Sequence, residues 1–343
     1  MKDADPDKRS KIVDQLLDDP RFAQHQADVW WAVLFGRSPA PAVAQQRDAF
    51  HKWLVERFAK NEPYDKWVRE LLVAEGNTAE HGPPLFYVQF AAKAEETAVG
   101  VSRIFLGTQL QCAQCHDHPS DKWKQLDFYG LAGFFARLVV VDQGGGKKLM
   151  IGEKSTGEVM FTGPAIEQRP GQKGKPVPAR YLGGDLLSEP ALPADFKEAD
   201  FKGSKAPPKP QFSRKEKFAG WMTAAENPYF ARAAVNRVWG QYLGRGLVHP
   251  VDDMRESKPA SHPELLQALT ERFVQKQFDL KWLIRELVNS ETYQLAAGKE
   301  GEAFWFEKAK LRPLTGEEML AALQVATGFN PATDKMQIGR AHV

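Results

Sequence analysis

The chain has 343 residues, 43% of them hydrophobic, and a formal net charge of +2. That length accommodates two ordinary domains, each with its own core. The balanced charge gives no large field to steer the chain onto nucleic acid or an anionic membrane, and no run of about 18 apolar residues is present to cross a bilayer.

Met1 is followed at once by charged residues, with no apolar signal segment. Apolar residues then recur at helical spacing. Val13, Leu16 and Leu17 mark a first helix. Phe22, His25, Val29, Val33 and Leu34 mark a second, stopped at Gly36. Phe50, Trp53, Leu54 and Phe58 give a third, broken at Asn61-Glu62-Pro63. Trp67, Val68, Leu71 and Leu72 give a fourth, closed near Gly76. A fifth is expected over 91–109, running directly into a cysteine motif. A sixth, from near Gln125, carries Phe128, Leu131, Phe134 and Phe135. Leu138 to Asp142 and Glu158 to Thr162 read as a small β excursion around Gly144-Gly145-Gly146. Pro and Gly crowd Gln168 to Pro178, and Lys202 to Pro210 is the best linker candidate.

Helices return at Phe218 to Ala225. Asn227-Pro228 reads as an N-cap with Pro at the first helical position, for a helix with Val235, Val238, Trp239 and Tyr242 on its apolar face and Gly244 as its stop. Ser261 with Glu264 reads as a capping box, with Leu265, Leu266, Leu269 and Phe273 facing inward. Leu280 to Val288 and Glu317 to Thr327 complete the pattern. The expected fold class is mainly α: helical domains at 6–200 and 213–330, a Pro-rich linker at 201–212, and the β excursion in the first domain.

The only two cysteines lie in Cys112-Ala113-Gln114-Cys115-His116. Such a C-x-x-C-H turn suits covalent attachment of haem c. Two thiols add to the vinyl groups, and the adjacent His116 supplies the proximal nitrogen. Two other chemistries fit the same residues. Cys112, Cys115, His116 and His118 offer two sulfurs and two nitrogens to Zn or Fe, although such short spacing strains a tetrahedral site. The cysteines could equally form a disulfide or a free thiol pair. His81, Met150, Met160 and Met254 are the candidates for a distal haem ligand. His118 is too close to His116 to reach the opposite face. Asp117 and Asp121 read as turn aspartates before second-sphere acceptors. Trp123, Phe128, Tyr129, Phe134 and Phe135 read as helix core before haem wall. In the second half Asn236 and Arg237 interrupt an apolar helix. With Arg245 and Asp252-Asp253 they are read as a structural Arg–Asp network ahead of an active site. Adjacent aspartates point apart on most backbones, so this pair is no obvious acid–base couple. No nucleophile elbow, phosphate loop or zinc-protease helix is present.

Phe105 to Pro119, with Asp127-Phe128-Tyr129-Gly130-Leu131-Ala132 and Phe134-Phe135, resembles the planctomycete cytochrome-c-associated proteins, which pair domains of unknown function 1549 and 1553. The second domain's likeness rests on Asn227 to Arg232, Asn236 to Trp239, Gly244 to Leu247, His262 to Leu266, Ser290, Thr292, Tyr293 and Arg312-Pro313-Leu314. The resemblance runs from about Pro6 to Gly328. In related sequences the position of Ser120 is usually aromatic. The resemblance implies export to the periplasm or beyond and cytochrome association, without naming a reaction. It also marks this sequence as a fragment truncated at both ends, and Ile338 to Val343 reads as an adapter-derived tail. The expectation is an exported haem-c redox or electron-transfer protein with a redox partner protein. The alternative is a non-catalytic surface or scaffold protein whose Cys/His cluster is a structural metal site or disulfide.

Overall fold

The computed structural model describes residues 5–142, 145, 148–163, 174–198, 208–298 and 305–329. The tail at 338–343 and the linker residues 201–207 lie outside them. The fold is mainly α. Its first part holds α1 (Lys8–Asp18), α2 (Pro20–Phe35), α3 (Pro41–Ala44), α4 (Arg47–Ala59), α5 (Tyr64–Val73), α6 (Thr78–His81), α7 (Leu85–Val88), α8 (Ala94–Phe105) and α9 (Gln125–Ala132). After the expected linker come α10 (Arg214–Met222), α11 (Phe230–Leu243), α12 (Pro263–Gln275), α13 (Leu280–Asn289) and α14 (Gly316–Thr327).

Local chemistry explains the helix ends. Pro20 opens α2 behind Asp19, whose carboxylate accepts from the Arg21 N–H. Gly36 closes the helix at φ 74°, where its N–H reaches the Ala32 carbonyl. The fifth expected helix is shorter than its 91–109 span. Ala91 and Ala92 carry positive φ, and Gly107 turns the chain at φ 64°, so α8 ends at Phe105, seven residues before Cys112. Asn227 is not the N-cap of α11, which is Tyr229 with the helix starting at Phe230; the Asn227 Oδ1 accepts from the Tyr229 and Phe230 N–H groups in the turn that leads in. Ser261 does not cap α12, whose N-cap is His262 with Pro263 in the first turn; Leu265 faces solvent at 38% exposure.

Large aromatic side chains hold the helices together. Trp30 of α2 meets Tyr64 and Trp67 of α5, the latter edge-on at 5.1 Å. Each such ring takes roughly 150–250 Å² out of water, and edge contacts add about 0.5–1.5 kcal/mol. Tyr64 stacks on Phe230 of α11 at 4.8 Å, and its N–H bonds to the Phe278 carbonyl. Arg285 of α13 holds Asp14 of α1 at 2.6 Å. The segments 6–200 and 213–330 therefore share one hydrophobic core among the described residues.

The β excursion is larger than its sequence signal. The strands β1 (Gly76–Asn77), β2 (Leu138–Asp142) and β3 (Leu149–Glu153) form an antiparallel sheet in the order β1-β3-β2, and β4 (Val159–Phe161) pairs with β5 (Lys175–Val177). Central β3 ends on buried Glu153, which accepts from the Ser213 hydroxyl and the Lys215 N–H. Next to it, buried Arg214 bridges Glu189 at 2.6 Å and Glu158 at 2.7 Å and donates to the Gly133 carbonyl at 2.9 Å. The start of α10 is thus pinned to the sheet.

Candidate functional site

The cysteine motif begins on a short 3-10 turn, Gln111–Gln114, with Cys115 directly after it. Side chains three residues apart on such a turn lie one above the other. Cys112 and Cys115 therefore share an edge, and both thiols are free and exposed. Ala113 points the other way and is fully buried, which anchors the turn to the core. The Gln114 carbonyl is held from below by Gln125 Nε2 at 3.2 Å and the Tyr129 hydroxyl at 3.1 Å. Burial raises the Tyr129 pKa, with Glu95 and Cys115 adding to the rise, so its hydroxyl stays a donor.

The two histidines differ in tautomer. The Nδ1 of His116 lies 2.7 Å from the Asp117 carbonyl. A carbonyl only accepts, so Nδ1 carries the proton and Nε2 presents a lone pair. The Nδ1 of His118 instead faces the Ser120 backbone N–H at 3.3 Å. A backbone amide only donates, so this Nδ1 accepts and the neutral ring protonates at Nε2. His116 is thus set up as an Nε2 ligand and His118 is not.

Asp117 accepts from the Gln125 N–H, and Asp121 from the Lys122 N–H, so both are turn aspartates as their spacing implied. Trp123, Phe128, Phe134 and Phe135 are buried helix-packing residues, and Tyr129 is half-buried. None of the principal clefts among the described residues is lined by Cys112, Cys115 or His116. No group of three or more His, Cys, Asp or Glu converges to hold a metal among the described residues. The four-residue set Cys112, Cys115, His116 and His118 is accordingly not preassembled.

The candidate distal ligands are scattered. His81 packs beside Gly76 at one end of the sheet. Met150 lies on β3 opposite Asn77 and Val141, and the Met254 sulfur packs against Gly107. Met160 is exposed on β4, the strand whose Phe161 packs against Tyr129 at 5.0 Å.

In the second half Asn236 and Arg237 bond to backbone groups, while Asp252 and Asp253 pair with Arg103 and Arg255. Asn236 is fully buried; it donates to the Val248 carbonyl and accepts from the Val248 N–H, both at 2.9 Å. Arg237 donates to the Arg103 and Ile104 carbonyls at 3.2 and 3.1 Å, closing the last turn of α8. Asp252 accepts from Gln109, while Asp253 faces Arg255 and Lys258. The two aspartates point apart, as adjacent residues should. This loop also ties down the cysteine motif: Arg255 bonds the Ser120 hydroxyl, Ser257 bonds the Ser120 carbonyl at 3.1 Å, and Lys122 pairs with Glu256 at 2.6 Å. The small residue at position 120 is thus a polar anchor. Its partners lie more than 130 residues away, so the sequence around it gave no sign of that role.

Residues 1–139 match the family model PSCyt2, "Protein of unknown function (DUF1549)", and residues 214–336 match PSD1, "Protein of unknown function (DUF1553)". The chain belongs to the family that pairs these two domains. No curated protein and no solved structure matches it.

Proposed function

We propose that Cys112, Cys115 and His116 are the attachment point of a c-type haem and that the protein is an exported electron-transfer protein serving a redox partner protein. The observation that carries this reading is the pairing of two exposed thiols on one edge of a turn with a histidine whose Nδ1 proton is held by the Asp117 carbonyl. The donor set fits the group. Cys112 and Cys115 would hold its two vinyl carbons as thioethers, and His116 Nε2 would face its iron. When bound, haem c supplies a one-electron couple. The chain's own contribution is orientation: Asp117 fixes the His116 ring, and Gln125 and Tyr129 fix the turn through the Gln114 carbonyl. Cys112, Cys115 and His116 are exposed, so a haem held there would be within reach of a partner protein.

A second reading is favoured by the same exposure. An exposed thiol pair without a converged ligand set also suits a non-catalytic surface or scaffold protein that closes Cys112 to Cys115 as a disulfide.

The test is to express the chain behind a signal peptide with a periplasmic haem c maturation system. A visible spectrum and intact mass after denaturation are then recorded. A c-type reduced α-band and a haem-sized mass gain are expected, both lost in Cys112→Ala/Cys115→Ala. A folded product with no added haem, while a control cytochrome matures, overturns the haem reading. Loss of two hydrogens from the intact mass then establishes the disulfide.

A further inference from the structure

A cleft of about 530 Å³ opens between α2, α11 and the C-terminal end of α8. Its apolar lining is Val29, Ala32, Val33 and Ile104. The rest of its lining is largely ionic, but the charges are unevenly partnered. Asp28 holds Arg47 at 2.7 Å and His51 at 2.9 Å. Asp252 accepts from Gln109 at 3.2 Å and lies 3.8 Å from Arg103. Glu318 holds Arg312 and caps α14 through the Thr315 N–H. These three carboxylates are engaged and Glu317 is exposed, whereas two of the arginines lack a carboxylate partner among the described residues.

Among the described residues Arg237 bonds only to two neutral carbonyls, and its Nε is buried with no partner. Burial pulls its pKa below the ordinary arginine value, against the favourable fields of Tyr64 and Asp252. A half-buried guanidinium without a hydrogen-bonded anion is a costly arrangement, and an arriving anion relieves it. Arg37, just past the Gly36 stop of α2, is exposed and lines the same cleft with no partner among the described residues.

We infer that this cleft binds an organic monocarboxylate with an apolar body, its carboxylate held by Arg237 and Arg37 and its body against Val29, Val33 and Ile104. The planar guanidinium fork matches a carboxylate in a way that a lysine ammonium does not. Asp28, Asp252, Glu317 and Glu318 also line the cleft. They repel a doubly charged phosphate more strongly than a singly charged carboxylate. The inference is independent of the haem reading, because no residue of the Cys112–His116 turn lines the cleft.

The experiment is calorimetric titration of the full chain with benzoate, with its neutral isostere benzamide, and with inorganic phosphate. Benzoate should bind, with benzamide at least about tenfold weaker, a difference of ~1.4 kcal/mol. Arg237→Gln and Arg37→Gln should each weaken benzoate by a similar factor. Arg237→Gln also removes the α8 contacts, so its fold is checked by circular dichroism. Arg37→Gln touches no partner and keeps the test valid if the first variant misfolds. Failure of benzoate to bind at millimolar concentration overturns the inference. So does equal binding of benzamide, preference for phosphate, or benzoate binding unchanged by Arg37→Gln.

Discussion

Cys112, Cys115 and His116 stand exposed on a short turn with reactive atoms uncommitted, whereas Asn236 of α11 is a fully buried amide whose oxygen and nitrogen both meet the Val248 backbone. Both features are conspicuous in the sequence, one as a cysteine motif and the other as a polar residue inside an apolar helix. Burial separates their roles. A polar group enclosed with all its partners specifies the fold; a polar group held in place at the surface with a lone pair left over is available for chemistry. Arg214 belongs with Asn236, since its guanidinium is engaged by Glu158, Glu189 and the Gly133 carbonyl.

This contrast breaks if the enclosed groups prove dispensable. The largest effect is expected for Arg214→Ala, which removes a buried guanidinium bonded to two carboxylates and a carbonyl and leaves Glu158 and Glu189 on Arg137 alone. It should lower stability by roughly 3–5 kcal/mol in urea unfolding. Asn236→Ala leaves the buried Val248 N–H and carbonyl without their side-chain partner and should cost roughly 2–3 kcal/mol in the same assay. Tyr129→Phe removes one of two donors to the Gln114 carbonyl. It should cost about 1 kcal/mol or less, because Gln125 still holds that carbonyl. Its sharper readout is the cysteine turn itself: alkylation of Cys115 in the native protein should change while the unfolding midpoint barely moves. A Tyr129→Phe penalty matching that of Asn236→Ala would place the turn within the scaffold.

Much of the helical fold was legible because its apolar spacing is strong. Phe50, Trp53, Leu54 and Phe58 all landed buried on α4. What escaped depends on tertiary contacts. β3 reads poorly as Leu-Met-Ile-Gly-Glu, since its Gly is a weak strand former and its Glu belongs inside only because Ser213 and Lys215 meet it there. Leu265 fits the helical pattern of α12, yet nothing packs over it deeply enough to bury it. The cysteine motif could be read as a donor set, but not its exposure or the opposite tautomers of His116 and His118, which follow from single backbone contacts. The arginine cleft was invisible along the chain, because Arg37 and Arg237, 200 residues apart, line one cleft only in the fold.

The seating of α1 on α13 has a consequence for biosynthesis. Asp14 leaves the ribosome first, and its partner Arg285 follows 271 residues later. Until then Leu17 lacks the surface that buries it, and Tyr64 of α5 lacks the Phe230 and Phe273 rings of the second half. The N-terminal portion thus cannot finish packing until α13 has emerged, and a product interrupted before then would present unburied leucine and aromatic rings to chaperones and proteases.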